Sequence, residues 1–278
     1  MDRPLFRTIL FRSAVCVLMA GLGLAAASTH AQTLNRIQQT GVVRIGIYGD
    51  QVPWSAVDAS GQNVGYDVDV ARLIGQALGA RVEFVLQDVA GRIPNLLTNK
   101  VDLQMAVMGM YPERAKAVQY SKPYAGQQIV LFASKKHRIT HIEDARNLRI
   151  GVPRSAAQDV AITKLLGDIP NIRRFNDNSA VIQALVSGQV DAIGGDTSYR
   201  VMLNRAAPGH DYEQKVVFNE QWQGIATRPG DKEINAWLNR FIESIKADGR
   251  LAAISQKHLA QGLPTFPESL AGIPFTVQ

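Results

Sequence analysis

The 278-residue chain has a single cysteine, Cys16. A disulfide framework is therefore excluded, and so is a cysteine-based zinc site. Histidine is also scarce: His30, His137, His141, His210 and His258 fall into no metal-ligand pattern, so no metal or other cofactor is expected. Outside residues 13–27, no stretch approaches the roughly 20 apolar residues that a membrane span needs. No phosphate-binding glycine loop and no Ser-His-Asp motif stands out. Basic residues are scattered, and the longest local group, Lys135-Lys136-His137-Arg138, has no aromatic interleaving. It reads as a solvated loop, and no nucleic-acid partner is expected.

The N-terminus is patterned. Arg3, Arg7 and Arg12 precede the apolar stretch, and Thr29-His30-Ala31 offers a small-x-small cleavage site. Residues 1–31 thus read as a cleaved secretory signal peptide. Cys16 lies inside it and lacks the small residue expected before a lipidated cysteine. The remaining 247 residues are enough for one large or two modest domains. Because the leader holds three arginines and one aspartate, the formal net charge falls from +6 to +4 when it leaves. Export without disulfides fits the periplasm of a two-membrane bacterium.

Two segments are built alike. LLTNKVDLQMAVMG from Leu96 and ALVSGQVDAIGGD from Ala184 each join a helix end to an apolar run opening on Val-Asp. Asn99 and Gly188 punctuate the helices, since both tolerate the left-handed conformation that ends one. The runs read as central parallel strands. Residues 43–47 predict a strand, 67–79 a helix with Val70, Leu73, Ile74, Ala77 and Leu78 at helical spacing, and 81–86 a further strand. Residues 148–152, 156–166 and 172–175 repeat the plan with an edge strand last. Extended crossings are expected at 128–133 and 222–227, and a helix with an apolar stripe at 231–246. Two α/β lobes joined by two crossings describe a hinged clamp, with residues 32–127 and 224–278 in one lobe and 128–223 in the other. Ligands bind beyond the carboxyl ends of such strands. There the first repeat offers a cation, Arg114, and the second an anion, Asp196, as an amino-acid zwitterion requires.

GYDVDVARLIGQALGARVEF from Gly65 resembles the signature of bacterial periplasmic solute-binding proteins for polar amino acids, the family serving ABC importers. RIPNLLTNKVDLQMAVMGMYPERAKAVQYSKPYA, ALVSGQVDAI and WLNRFIESIKADGRLAAISQKHL resemble family segments in the same order. The resemblance implies a two-lobed type II periplasmic-binding-protein fold, α/β, with a mostly parallel sheet in each lobe. It implies a monomer that binds an amino acid by cleft closure, performs no catalysis, and delivers its ligand to an inner-membrane permease. It assigns the ligand's α-carboxylate to Arg114, where a guanidinium forks onto it with two charge-assisted bonds. The α-ammonium falls to Asp196, whose alternative role is to cap the following helix. Trp54 is expected as an aromatic wall or as core, and Tyr48 and Asp50 belong to the same turn. Where relatives carry hydroxyl residues, this chain has Gly109, and in the second-lobe loop Ser155 and Gln158. Two rival readings stand beside this one. Cyclohexadienyl dehydratases share the fold but place a carboxylic acid where Gln158 stands, which leaves Asp159 as the substitute acid. A sensor subunit would present the same closed shape to a membrane receptor.

Overall fold

The computed structural model describes residues 33–167 and 171–277; the expected signal peptide, with Cys16 and His30, lies outside them. The chain opens with α1 (Thr33–Thr40), β1 (Val42–Ile47), and a small sheet of β2 (Asp50–Gln51), β3 (Ser55–Val57) and β4 (Asn63–Val64). α2 (Tyr66–Leu78) and β5 (Arg81–Leu86) follow, then α3 (Arg92–Leu97), β6 (Leu103–Gln104) and the single turn α4 (Pro112–Ala115). β7 (Gln119–Ser134) leads through a 3-10 turn to β8 (Ile150–Pro153), α5 (Ala157–Leu166), β9 (Ile172–Phe175), α6 (Asn178–Val186), β10 (Ala192–Asp196) and α7 (Tyr199–Ala206). β11 (Tyr212–Thr227), α8 (Lys232–Ala247) and α9 (Arg250–Leu259) complete the described chain.

Among the described residues, one eight-stranded sheet runs β5-β1-β6-β11-β7-β10-β8-β9. The sheets expected in the two lobes are continuous with each other. β7 and β11, 16 residues each, pair antiparallel along their whole length and fuse the two half-sheets. On one side of this ribbon β5, β1 and β6 are parallel; on the other, β10, β8 and β9 are parallel. The expected crossings at 128–133 and 222–227 are therefore parts of two much longer strands. Each half-sheet has helices on both faces, because its strands are apolar on both sides. In the β1 half, Ile45, Ile74, Leu238 and Ile242 lie in one core and Leu96, Val101, Met108 and Tyr120 in another. In the β8 half, the cores form around Val181, Ile193 and Leu203, and around Ile150, Val152 and Ile162.

The repeated Val-Asp has a structural cause. Asp102 accepts from Arg44 three times, at the backbone N (2.8 Å), Nε (3.1 Å) and Nη2 (2.8 Å), and also from Arg36 Nη2. Asp191 accepts from the N (3.0 Å), Nε (2.9 Å) and Nη2 (2.6 Å) of Arg149. Each half thus ties the start of its first strand, Arg-Ile-Gly in both, to the residue that follows a helix and its stop. Asn99 and Gly188 do take left-handed conformations, with φ of 61° and 71°. The first run, however, is a strand only at Leu103–Gln104, because Ala106 and Val107 turn to φ 44° and 50°.

The hydrogen bonds from Arg149 hold the Asp191 carboxyl down at about 2. A depressed acid stabilises above its unfolded value near 4 and loses that contribution as pH falls toward the folded value. Both partners are partly exposed, which reduces the effect to about 1 kcal/mol. Urea denaturation should find Asp191→Asn less stable by that amount at pH 7, with the gap narrowing below pH ~4. A gap independent of pH would refute the ion-pair origin.

Candidate functional site

The strand ends that face across the ribbon enclose a small cavity of ≈ 20 Å³. Tyr48 enters after β1, Gln51 from β2, Arg92 from the start of α3 and Arg114 from α4. Gln158 comes from the start of α5, Asn178 from the start of α6 and Asp196 from the end of β10, with Gln127 and Gln221 from the long strands. Residues from both halves therefore share one site at the carboxyl ends of the strands, as open α/β sheets arrange their ligands.

The halves also touch. Gln51 Nε2 donates to Asp196 Oδ2 at 2.7 Å, and Asn178 Nδ2 donates to Gln51 Oε1 at 3.2 Å. Ser179 N donates to Asp50 Oδ2 at 2.9 Å, and Arg114 Nη2 donates to the Ser155 carbonyl at 3.1 Å. The second Arg114 nitrogen, Nη1, reaches the Gly109 carbonyl at 3.1 Å. Arg114 meets no carboxylate among the described residues, and burial, then the charge of Arg92, pushes its pKa down from the ordinary guanidinium value. Such a cation is held ready for an anion.

Asp196 does two things at once. Its Oδ1 accepts from Ser198 N (2.9 Å) and from the Ser198 hydroxyl, while Oδ2 faces the cavity and takes the Gln51 amide. The expected role of Asp196 as cap of the following helix is not met: Ser198 is the N-cap, and Asp196 holds the turn before it. α7 starts at Tyr199 rather than near Thr197.

Of the residues singled out from sequence, Tyr48, Gln158, Arg114 and Asp196 line the cavity. Ser155 contributes its carbonyl as the acceptor for Arg114, and Gly109 does the same. A Cβ on Gly109 would stand 2.5 Å from the Gln221 amide, so the space of a hydroxyl side chain is filled by that glutamine. Asp50 bridges the halves at the rim and is not in the lining. Trp54 does not join the site either. It is 2% exposed, packs edge-on against Tyr66 at 5.2 Å, and borders a separate, open groove of ≈ 470 Å³ with Trp222 and His258. Apolar burial next to Tyr66 at the entrance to α2 outcompetes an exposed position at a polar site. Asp159 is turned away, accepting from Ser155 N (2.9 Å) and from Arg174 Nε (2.8 Å).

Gln51, Arg92, Gln127, Asn178 and Gln221 were missed by sequence reasoning. Neutral amides carry little pattern, although Gln51 lies inside the turn already singled out. Arg92 had a signal: a cation opening an otherwise apolar helix, RIPNLL. It is 5% exposed, and Nε donates to Val89 O at 3.0 Å while Nη1 donates to Ala106 O and Val107 O, both at 3.3 Å. Left-handed backbone at non-glycine residues costs on the order of 1–3 kcal/mol each. At Ala106 and Val107 that strain turns two carbonyls onto Arg92 and the Val107 N–H onto Asp67 Oδ2 at 3.0 Å.

A cleft whose walls belong to opposite halves of a molecule, with a charge of unlike sign on each, is the arrangement of a protein that holds a small solute between two lobes. The family follows from the whole chain: it belongs to the bacterial extracellular solute-binding proteins, family 3, whose model matches residues 43–261. It is 28% identical over 248 residues to the putative ABC transporter arginine-binding protein 2 of Escherichia coli (strain K12), covering 87% of this chain and 96% of that one. The probable histidine-binding protein of Neisseria gonorrhoeae is 26% identical over 224 residues, covering 79% and 84%. Among solved structures, a mutant of ArgBP from T. maritima matches with a TM-score of 0.77 at 27% identity, covering 83% of this chain and 100% of that one. An ancestral amino acid-binding protein described as a precursor of cyclohexadienyl dehydratase matches at 0.75 and 31% identity, covering 82% and 99%. The fold is thus the type II periplasmic-binding-protein fold expected from sequence.

Burial raises Asp196 to about 6 against the pull of the Ser198 bonds. Burial also raises Asp67 to about 6 against its bonds from Val107 N and the Tyr124 hydroxyl. Folded values above the unfolded ones add stability that is complete below about pH 4 and lost as pH rises through 6. Between pH 7.5 and 5 each group should add about 1 kcal/mol to the ligand-free protein. Chemical denaturation should show Asp196→Asn removing about that much of the pH-dependent gain. An unaltered slope would contradict the buried, ionisable state of Asp196.

Proposed function

We propose that the two halves of this protein part to admit an α-amino acid among the residues that line the cavity between them, and that the protein delivers it to an ABC permease in the inner membrane. The observation that carries the reading is the placement of half-buried Arg114 and buried Asp196, unlike charges from opposite halves lining one cavity. The α-carboxylate takes the Arg114 fork in place of two backbone carbonyls, and the α-ammonium takes the Asp196 oxygen that now accepts the Gln51 amide. Names of relatives that include histidine-binding and arginine-binding proteins support an amino-acid ligand.

The clamp divides into lobes of residues 32–127 with 224–278, and 128–223. The bond from Ser179 to Asp50 then belongs to the shut state, which a ligand favours by touching both lobes. The protein acts as a monomer in the periplasm after removal of residues 1–31. It performs no turnover: Gln158 lines the cavity where dehydratases place an acid, and Asp159 is engaged by Arg174. An amide cannot donate and regain a proton near neutral pH.

Titration calorimetry on the cognate amino acid tests the site. Arg114→Ala should weaken binding on the order of 30- to several-thousand-fold, since one partner of a buried charge pair is removed. An unchanged dissociation constant would remove Arg114 from the site. Asp196→Asn should weaken the amino acid more than its deaminated analogue, which presents no ammonium. Equal losses would leave Asp196 as a turn residue alone.

A further inference from the structure

The cavity holds more positive charge than an α-amino acid backbone can use. Arg114 and Arg92 both line it, and among the described residues Asp196 is the one carboxylate in the lining. Arg92 is 5% exposed and forms no ion pair with a described acid. Its Nε and Nη1 are committed to backbone carbonyls, which leaves Nη2 without an acceptor among the described residues. The guanidinium carbon lies 5.7 Å from the centre of the Tyr48 ring, at the cavity wall. Its charge acts on Arg114, whose proton it makes easier to lose.

A buried cation with no counter-charge is costly, and proteins retain one where a partner arrives later. Once a zwitterion's carboxylate is on Arg114 and its ammonium is on Asp196, the cavity keeps one uncompensated positive charge. A neutral side chain leaves that charge unpaired. A basic side chain adds a like charge to a site that already repels itself, which costs affinity.

We propose that Arg92 is a specificity-determining residue that receives an anionic group on the ligand's side chain, so that the ligand is an acidic α-amino acid with two carboxylates. This rests on the amino-acid reading of the same site, and it departs from the basic ligands in the names of the relatives reported above. The rigid hold on Nε and Nη1 fixes the guanidinium plane, so Nη2 meets the second carboxylate at a set distance from Arg114. That distance selects side-chain length between aspartate and glutamate.

The test is calorimetry on the ligand-free mature protein with L-aspartate, L-glutamate, L-asparagine, L-glutamine, L-arginine and L-histidine. The better of the two acids should bind at least tenfold tighter than its own amide, and tighter than arginine or histidine. Arg92→Gln should bring the acid-to-amide affinity ratio down toward one, with a loss for the acid on the order of 30-fold or more. Arg92→Lys should restore part of the ratio, and its melting temperature reports whether the fold has survived. The proposal is overturned if a neutral or basic amino acid binds tightest. It is also overturned if Arg92→Gln weakens acid and amide equally, since Arg92 would then share the α-carboxylate with Arg114. Failure of all six ligands would overturn the amino-acid reading together with this one.

Discussion

Half-buried Arg114 and buried Asp196 are charges of opposite sign that come from opposite halves and line one cavity without pairing with each other. Asp196 ends β10 and Arg114 follows β6 on α4, both on the side where ligands of open α/β sheets bind. Because β7 and β11 pair along their length, β6 and β10 belong to one sheet. A solute that supplies both a negative and a positive group satisfies both ends at once. Until it does, protein groups stand in: two backbone carbonyls at Arg114 and the Gln51 amide at Asp196. These substitutes are neutral, so exchange for a charged partner is favourable when the site is dry.

The same economy of partners separates structural from functional acids and bases in this molecule. Asp102 and Asp191 are fully engaged by arginines of the first strands, and they fix where each strand begins. Asp159 is engaged by Arg174 and so lies outside the chemistry of the cavity. Arg114 and Arg92 are held instead by carbonyl oxygens, which orient a guanidinium without neutralising it. A charged side chain oriented by dipoles and left unneutralised is the mark of a site awaiting a ligand.

Much of this was legible in the sequence. The Val-Asp repeat reflects a real duplication of geometry, down to the left-handed residues at Asn99 and Gly188, because helix stops and strand starts are local events. Arg114 and Asp196 were expected near one another from the ends of the repeated runs and from the family resemblance, and both side chains line the same cavity. Trp54 was not, since its neighbour Tyr66 comes from α2 and the contact that buries it is tertiary. The straight strand expected after Asp102 fails for a similar reason: the bend at Ala106 and Val107 answers to Arg92 and Asp67, which are distant in sequence. The burial of Arg92 is not legible in its motif, because a lone arginine at a helix start ordinarily lies on the surface.

The central claim is that a ligand ammonium pairs with Asp196. Calorimetry at pH 6 in two buffers of different ionisation enthalpy counts the protons exchanged per ligand bound. With Asp196 raised to about 6 in the ligand-free protein, it is close to half-protonated there. Pairing with an ammonium lowers that value, so binding should release about half a proton per ligand, and Asp196→Asn should abolish the release. No proton release, or the same release from the variant, would contradict the account.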